Sequence, residues 1–313
     1  MGTPDFAATM LDALVKGGYR VIAAVTQPDK PKGRGYALSE SPVKVYAQAH
    51  NIPVYQPKTC KNGAFAEELS RLDPDMIVVA AYGKILPAYI IQYPRLGCIN
   101  VHGSLLPAYR GAAPIQRCII NGEKNTGVTI MHMDEGIDTG DMLGKITVPI
   151  RETDTFGTLH DRLAQAGAEL LLDTLPHIID GSVQPEKQDD TLSSYANKIE
   201  KADCSLDFNS SSRSLFNRIR GLSPFPLAAA ACEGTVLKIP SAECGRESGT
   251  YGEPGEVLAL TGGKIEVACG TGTILITEVL PAGKKRMKAS DFINGRRVKT
   301  GDIFTALPCG ETE

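Results

Sequence analysis

The sequence predicts an α/β protein in which a doubly wound, mostly parallel sheet is followed by a smaller C-terminal β-barrel domain with an OB-like fold. In the first half, mostly unbroken apolar runs alternate with helical patterns, which is typical of parallel strands covered on both faces. After about residue 205, short β-like runs are separated by glycine-rich turns. The length of 313 residues fits two domains, which we place at 1–181 and 205–313 with a polar linker at 182–204.

The strands of the first domain are predicted by apolar runs at 21–26, 76–81 and 98–102. A first helix has an apolar face that begins at Phe6 and ends at Leu14, a second helix follows Pro42, and a third is marked by apolar residues within 65–72. The chain opens with the turn-like residues Gly-Thr-Pro-Asp, although a doubly wound domain normally begins with a strand. Two explanations stay open: the start lies upstream of Met1, or the sheet has one strand fewer.

The second half begins with a long amphipathic helix at 158–180, which is expected to end near Gly181. After the polar segment, another helix is predicted at 211–220. The β-like runs of the barrel follow at 235–239, 255–260, 264–268 and 273–280. This order, one helix and then several short strands, favours an antiparallel barrel over a continuation of the first sheet.

Composition excludes several classes of protein. The net charge of −3 means that an anionic partner must be bound by a local basic patch. The eight cysteines form no CxxC pair and the five histidines show no ligand spacing, so we expect reduced thiols and no metal site. The N-terminus does not resemble a signal peptide, and the longest apolar run is too short to span a bilayer. We therefore expect a cytoplasmic protein without a membrane partner.

The segment 99–117 carries the most informative polar residues. Asn100 and His102 are two residues apart in a predicted strand, so their side chains share one face at the strand's end. An amide and an imidazole that project together can both donate hydrogen bonds to a developing oxyanion, and one such donor lowers an acyl-transfer barrier by about 3–4 kcal/mol. Taken alone, the pair also fits a core histidine and a strand-end asparagine without a catalytic role.

A second polar segment, 126–141, combines a strand pattern with an acidic loop. Asp138 lies in this loop between Gly136 and Gly140, whose backbone can approach a ligand closely. A carboxylate here could hold His102 protonated and oriented, or accept the proton of an attacking amine. The alternative is an ordinary solvated acidic turn.

Taken together, Asn100, His102, the SLLP segment and Asp138 closely resemble the signature of the folate-dependent formyltransferases. The resemblance implies that Asn100, His102 and Asp138 are the catalytic residues of an N-terminal formyltransferase domain. It also implies 10-formyltetrahydrofolate as co-substrate, without a metal. The tetrahydrofolate site is then lined by Ser104, Leu105, Leu106 and Pro107.

Within this family, the chain resembles the members that formylate the methionine of charged initiator tRNA. Segment 26–44 is similar to their basic loop, and the C-terminal part to their second domain. The resemblance implies initiator methionyl-tRNA as the partner and a role in translation initiation, and we expect a monomer. The implied tRNA contacts are Lys30, Lys32, Arg34, Lys44, Lys284, Lys285, Arg286 and Lys288. Arg213, Arg218 and Arg220 are expected to form a further positive surface.

Two departures from the family pattern stand out. The strand that precedes the first turn in the family is missing, and Phe208 and Phe225 stand where the family often has tryptophan, before an alanine run at 228–231. Other functions also stay open. The nearest is formyl transfer to a small amine, such as an amino sugar or a glycinamide nucleotide. A nucleotide-dependent oxidoreductase is disfavoured because a GxGxxG turn is absent. A non-catalytic RNA-binding module is disfavoured because the catalytic and folate patterns coincide.

Overall fold

The computed structural model describes residues 1–32 and 37–307, which form two compact units. The first unit contains Met1–Pro114, Asn125–Pro149 and His160–Asn197. The second contains Ile115–Lys124, Ile150–Leu159 and the described residues from Lys198 onward. Residues 182–197, for which the sequence predicts a linker, are therefore part of the first unit.

In chain order the helices are α1 (Asp5–Lys16), α2 (Pro42–Ala49), α3 (Ala66–Leu72), α4 (Ala88–Ile91), α5 (Pro114–Ile120), α6 (Phe156–Ile179), α7 (Ser212–Gly221) and α8 (Ala289–Asn294). Helix α2 begins where the sequence predicts, because Pro42 occupies its first turn and the Ser41 hydroxyl accepts a hydrogen bond from the Lys44 amide. Helix α6 buries leucines along one face, at Leu159, Leu163, Leu171 and Leu175. Among the described residues, none of these helices is both long and apolar enough to cross a membrane.

The strands of the first unit combine parallel and antiparallel pairs. Strand β1 (Ala24–Val25) is parallel to β4 (Val54–Tyr55), and β2 (Lys30–Lys32) is antiparallel to β3 (Ala37–Ser39). A separate sheet has the order β5-β6-β7-β8, formed by β5 (Ile77–Val79), β6 (Cys98–His102), β7 (Asn125–His132) and β8 (Met142–Pro149). Its β5–β6 pair is parallel and its other pairs are antiparallel. The loop 133–141 begins beside Cys98, where the Met133 amide donates to the Cys98 carbonyl, and reaches Gly111.

Met1 and Gly2 join β1 to β5. The Met1 ammonium donates to the Val78 carbonyl at 2.6 Å, and the Gly2 amide donates to the Val25 carbonyl at 2.9 Å. Burial lowers the pKa of the Met1 ammonium to about 6. Beside these residues lies a cavity of about 500 Å³, lined largely by apolar residues of α1, β1 and β5. Met1 and Gly2 thus form a short bridge between these two strands, in which Gly2 is paired with Ala80 in parallel.

The second unit is built around one antiparallel sheet. Its strands are β9 (Ala228–Cys232), β10 (Thr235–Cys244), β11 (Val257–Thr261), β12 (Lys264–Ala268), β13 (Thr273–Pro281), β14 (Met287–Lys288) and β15 (Phe304–Thr305). They follow the order β11-β12-β13-β10-β9-β15, with β14 beside β13. The core includes Leu215 and Ile219 of α7 and the rings of Phe208 and Phe304, whose centroids are 5.8 Å apart. The curled antiparallel sheet confirms the predicted OB-like C-terminal fold.

Candidate active site

Strand β6 separates its side chains onto two faces. Ile99 and Val101 are buried in the core at 0% and 2% exposure, so Asn100 and His102 point to the opposite face. His102 is itself only 5% exposed, whereas Asn100 is half-buried. The period-two spacing in the sequence thus places the amide and the imidazole together at the carboxyl end of a core strand.

Asp138 meets these two side chains. Its Oδ1 accepts a hydrogen bond from Asn100 Nδ2 at 3.3 Å, and its Oδ2 lies 3.5 Å from His102 Nδ1. The same Oδ2 accepts a hydrogen bond from the Gly111 amide at 2.8 Å. The other ring nitrogen of His102, Nε2, lies 3.0 Å from the Tyr109 carbonyl oxygen. Both ring nitrogens therefore face oxygen atoms, which only accept hydrogen bonds, and a neutral imidazole can donate to only one of them.

The loop that carries Asp138 is ordered by a different carboxylate. Asp134 accepts hydrogen bonds from the Gly136 amide and the Thr139 hydroxyl, so it closes the turn and remains exposed. Gly140 is required for the close approach of this loop to β7, because a Cβ there would lie 1.9 Å from the His132 carbonyl oxygen. In this acidic segment, Asp134 thus shapes the loop, whereas Asp138 points into the site.

Family models match most of the chain. Residues 1–175 match the formyl transferase family, and residues 198–297 match the C-terminal domain of formyl transferases. The chain belongs to the formyl transferase family. Methionyl-tRNA formyltransferases are among its relatives: that of Bacillus licheniformis is 48% identical over 303 residues, which are 96% of this chain and 95% of the relative. That of Bacillus subtilis is also 48% identical, over 97% of this chain and 96% of the relative.

Two solved structures share the fold. An N-formyltransferase from Helicobacter canadensis, in complex with folinic acid and dTDP-3-aminofucose, superposes with a TM-score of 0.65 at 21% identity and covers 88% of this chain and 96% of its own. HypX from Aquifex aeolicus, in complex with tetrahydrofolic acid, superposes with a TM-score of 0.59 at 19% identity over 79% of this chain and 43% of its own. At these identities the likeness establishes the formyltransferase fold.

In this member of the family, the segment 104–107 is largely packed into the first unit. The Ser104 hydroxyl donates to the Ala108 carbonyl, and the Leu106 amide donates to the Thr129 hydroxyl. Leu106 is buried beside Met131 and Met142, whereas Leu105 and Pro107 are half-buried. The side chains of Ser104 and Leu106 thus shape the loop, and Leu105 and Pro107 are the more accessible members of the segment.

Arg110 and Gln188 are part of the site although the sequence does not reveal a role for them. The Gln188 side chain donates to the carbonyl oxygens of Asp138 and Gly140 at 2.9 and 2.8 Å. It accepts hydrogen bonds from Arg110 Nε and Nη2 at 3.0 and 2.8 Å. Arg110, three residues after the last residue of the SLLP segment, was a visible signal. No sequence signal pointed to Gln188, because it lies in a segment without periodicity, 50 residues from Asp138 in the loop that it binds.

The basic residues for which tRNA contacts are predicted differ in exposure. Lys30, Lys284, Lys285, Arg286 and Lys288 are exposed, and Arg286 is paired with Glu278. Lys44 is only 14% exposed at its side chain and is bonded to Asp29 and Glu40, and these bonds raise its pKa. Arg34 lies outside the described residues, and Lys32 belongs to strand β2.

The prediction that Arg213, Arg218 and Arg220 of helix α7 form a positive surface is wrong. Arg213 is paired with Glu152 and Glu247, and Arg218 donates to the Asp203 carbonyl. Arg220 is 8% exposed and donates to Asn217 and to the carbonyls of Arg151 and Asp154. Helical spacing showed that the three arginines are neighbours. It did not show that side chains and carbonyls of the same unit form ion pairs and hydrogen bonds with them.

Proposed function

We propose that this protein transfers the formyl group of 10-formyltetrahydrofolate to the α-amino group of methionine on charged initiator tRNA, for translation initiation. Relatives with this activity in their names are 48% identical to the chain over nearly its full length. The observation that carries the chemistry is the convergence of Asn100, His102 and Asp138 at the end of β6. We further propose that the enzyme acts as a cytoplasmic monomer.

In the proposed reaction, the neutral α-amine attacks the formyl carbon. A carbon–nitrogen bond forms, and the carbonyl oxygen becomes the oxyanion of a tetrahedral intermediate. Asn100 and protonated His102 donate hydrogen bonds to this oxyanion. Collapse of the intermediate breaks the bond between the formyl carbon and N10 of the folate. The proton that the amine loses is delivered to N10, and Asp138 assists this transfer.

The hydrogen-bonding capacity of the site supports these roles. The Asn100 amide has two N–H groups; one donates to Asp138 Oδ1, and the described residues leave the second for the oxyanion. His102 Nε2 contacts the Tyr109 carbonyl, so in the proposed complex the oxyanion replaces this carbonyl as its acceptor. Asp138 holds the ring from the Nδ1 side while this exchange takes place.

Binding and orientation come from other parts of the chain. Ser104, Leu105, Leu106 and Pro107 follow β6 directly, so a folate bound along this segment places its formyl group beside Asn100 and His102. The exposed lysines of both units supply charge for tRNA phosphates without reading the sequence. These contacts contribute affinity and orientation, while bond making belongs to the three residues at the end of β6.

The test is a transfer assay with several acceptors. The purified protein is incubated with 10-formyltetrahydrofolate labelled in the formyl carbon and with charged initiator tRNA, an amino-sugar nucleotide or a glycinamide nucleotide. We expect label on methionyl-tRNA, with kcat/KM at least about a hundredfold above that for either small amine. Equal or better transfer to a small amine would replace the proposed substrate, and transfer to none of them would refute the proposal. The monomer is tested separately by light scattering at the assay concentration.

A further inference from the structure

Residues 188–196, which we call the strap, run along the loop that follows the SLLP segment. The Arg110 amide donates to the Ser194 carbonyl at 2.8 Å, and the Ala196 amide donates to the Arg110 carbonyl at 2.7 Å. The Ala113 amide donates to the Ala196 carbonyl at 3.0 Å, so the pairing continues past Gly111. A Cβ on Gly111 would lie 3.0 Å from the Ala196 carbonyl oxygen. The strap is thus fixed to the segment that supplies a hydrogen bond to Asp138.

One end of the strap reaches the loop that carries Asp138. Gln188 donates from its amide nitrogen to the Asp138 and Gly140 carbonyls and accepts two hydrogen bonds from Arg110 at its amide oxygen. A guanidinium group only donates and a carbonyl only accepts, so the orientation of the Gln188 amide is determined by its partners. All of its donors and acceptors are occupied, and it clamps the backbone on both sides of residue 139.

Arg110 is 2% exposed, and it is the group that orients this amide. Its Nη2 also donates to Asp190 Oδ1 at 2.7 Å, but the Asp190 side chain is 81% exposed. The guanidinium therefore has a half-buried partner in Gln188 and an exposed partner in Asp190. A buried polar group that loses its partners costs free energy, and this cost favours the clamped arrangement over one in which Gln188 turns away.

The loop needs such a clamp because Asp138 adopts an unfavourable backbone conformation. Its φ is 54°, in the left-handed region, which is rare for residues other than glycine and persists only where surrounding contacts hold it. Gly111 and Asn100 hold the carboxylate, whereas Gln188 holds the backbone. We propose that Gln188, oriented by Arg110, is a positioning residue that keeps Asp138 in its catalytic place. This inference rests on the proposed role of Asp138 in formyl transfer.

The test replaces Gln188 by two side chains of similar size. Gln188→Glu keeps an acceptor for Arg110 but removes both donors to the loop, and Gln188→Met removes all four hydrogen bonds. Gln184→Glu is the matched control, since this exposed residue makes the same change of charge in the same segment. For both Gln188 variants we expect kcat to fall about 10–100-fold while KM for folate and for tRNA stays within about threefold. The control is expected to keep wild-type values.

Hydrogen exchange separates a positioning role from a general loss of structure. The Gly111 amide donates to Asp138, whereas the Ala113 amide donates to the strap itself. In Gln188→Glu we expect the Gly111 amide to exchange at least about tenfold faster, while the Ala113 amide stays protected. Wild-type kcat and unchanged Gly111 exchange in Gln188→Glu would overturn the inference, and so would equal loss of protection at both amides. If Asp138→Asn itself kept full turnover, the proposed function of Asp138 would fail instead, whatever the Gln188 variants do.

Discussion

Asp138 is held at both carboxylate oxygens and along its backbone. Asn100 and Gly111 donate to its side chain, and Gln188 donates to its carbonyl. A carboxylate fixed in this way requires little reorganisation when substrate binds, which is how preorganised groups lower a barrier. At the scale of single residues, the account therefore depends on how firmly loop 133–141 is held.

We expect Gly140→Ala to weaken both stability and turnover. Its Cβ would lie 1.9 Å from the His132 carbonyl oxygen, so the loop must move, and Asp138 moves with it. The thermal midpoint should fall by about 2–6 °C and kcat by about 10–100-fold. Gly295→Ala is the control, because the atoms nearest to its new Cβ are 3.4 Å away and its φ is −72°. A Gly140→Ala protein with the thermal midpoint and kcat of the wild type would show that this close approach is unimportant.

At the scale of elements, the pattern of apolar residues predicted those strands and helices whose extent depends mainly on local interactions. Strand β6 has its predicted bounds, 98–102, and α6 covers 156–179 where 158–180 was predicted. Strand β1, however, contains only two residues of the predicted run 21–26. A strand exists only where a partner pairs with it, and the partners of this run, β4 and the Met1–Gly2 bridge, lie elsewhere in the sequence.

The strap could not be predicted for the same reason. Its residues are polar and aperiodic, so their composition resembles a linker. What orders them is pairing with residues 107–113, about 80 positions earlier in the chain. Asn100 and His102 were found from strand periodicity. Asp138 was a candidate from its glycine-flanked acidic loop, but only the family resemblance favoured it over a solvated turn, because nothing local shows that the loop folds back over β6.

The half-buried ion pair of Arg117 and Asp203 in the second unit predicts a dependence of stability on pH. Burial alone raises the pKa of Asp203, but hydrogen bonds from Arg117 and the Glu200 amide outweigh it and hold this pKa below its usual value. Ionised Asp203 therefore stabilises the folded state at pH values above its pKa in the unfolded chain, which is about 4. This stabilisation is lost as the pH falls through the lower pKa that Asp203 has in the folded state.

We accordingly expect Asp203→Asn to lower the thermal midpoint by about 2–5 °C at pH 7. The difference from wild type should shrink as the pH falls from about 5 to 3, because the wild-type carboxylate becomes protonated. Thermal unfolding followed across this range gives the answer. A difference that is constant with pH would mean that the charge of Asp203 contributes nothing.

At the scale of the whole molecule, a net charge of −3 has to be reconciled with a polyanionic substrate. The structure does so locally: Lys284, Lys285 and Lys288 are exposed on the second unit, whereas Lys44 and the α7 arginines are bonded within their own units. Local charge attracts phosphate over roughly a Debye length, about 10 Å at 0.1 M salt, so overall net charge matters little at the contact.

Replacing Lys284, Lys285 and Lys288 together by alanine should weaken tRNA binding in a salt-dependent way. The slope of log Kd against log salt should change by about one for each lysine that contacts a phosphate. Lys58→Ala, which removes an exposed lysine from the first unit, is the control and should leave the slope unchanged. Filter binding of charged tRNA at several salt concentrations measures the slope for the triple variant and for the control. A triple variant with the wild-type slope would remove this cluster from the tRNA interface.

The most direct test of oxyanion stabilisation by Asn100 and His102 is the rate of single-turnover formyl transfer to methionyl-tRNA. It is measured for Asn100→Ala, His102→Ala and the double variant. If both side chains stabilise one oxyanion, each single change lowers the rate of the chemical step about a hundredfold or more, with little change in substrate affinity. The double variant should then be less impaired than the product of the two single effects, because the residues act as a unit. His50→Ala, an exposed histidine, should react at the wild-type rate. Near wild-type rates in either single variant would contradict the account.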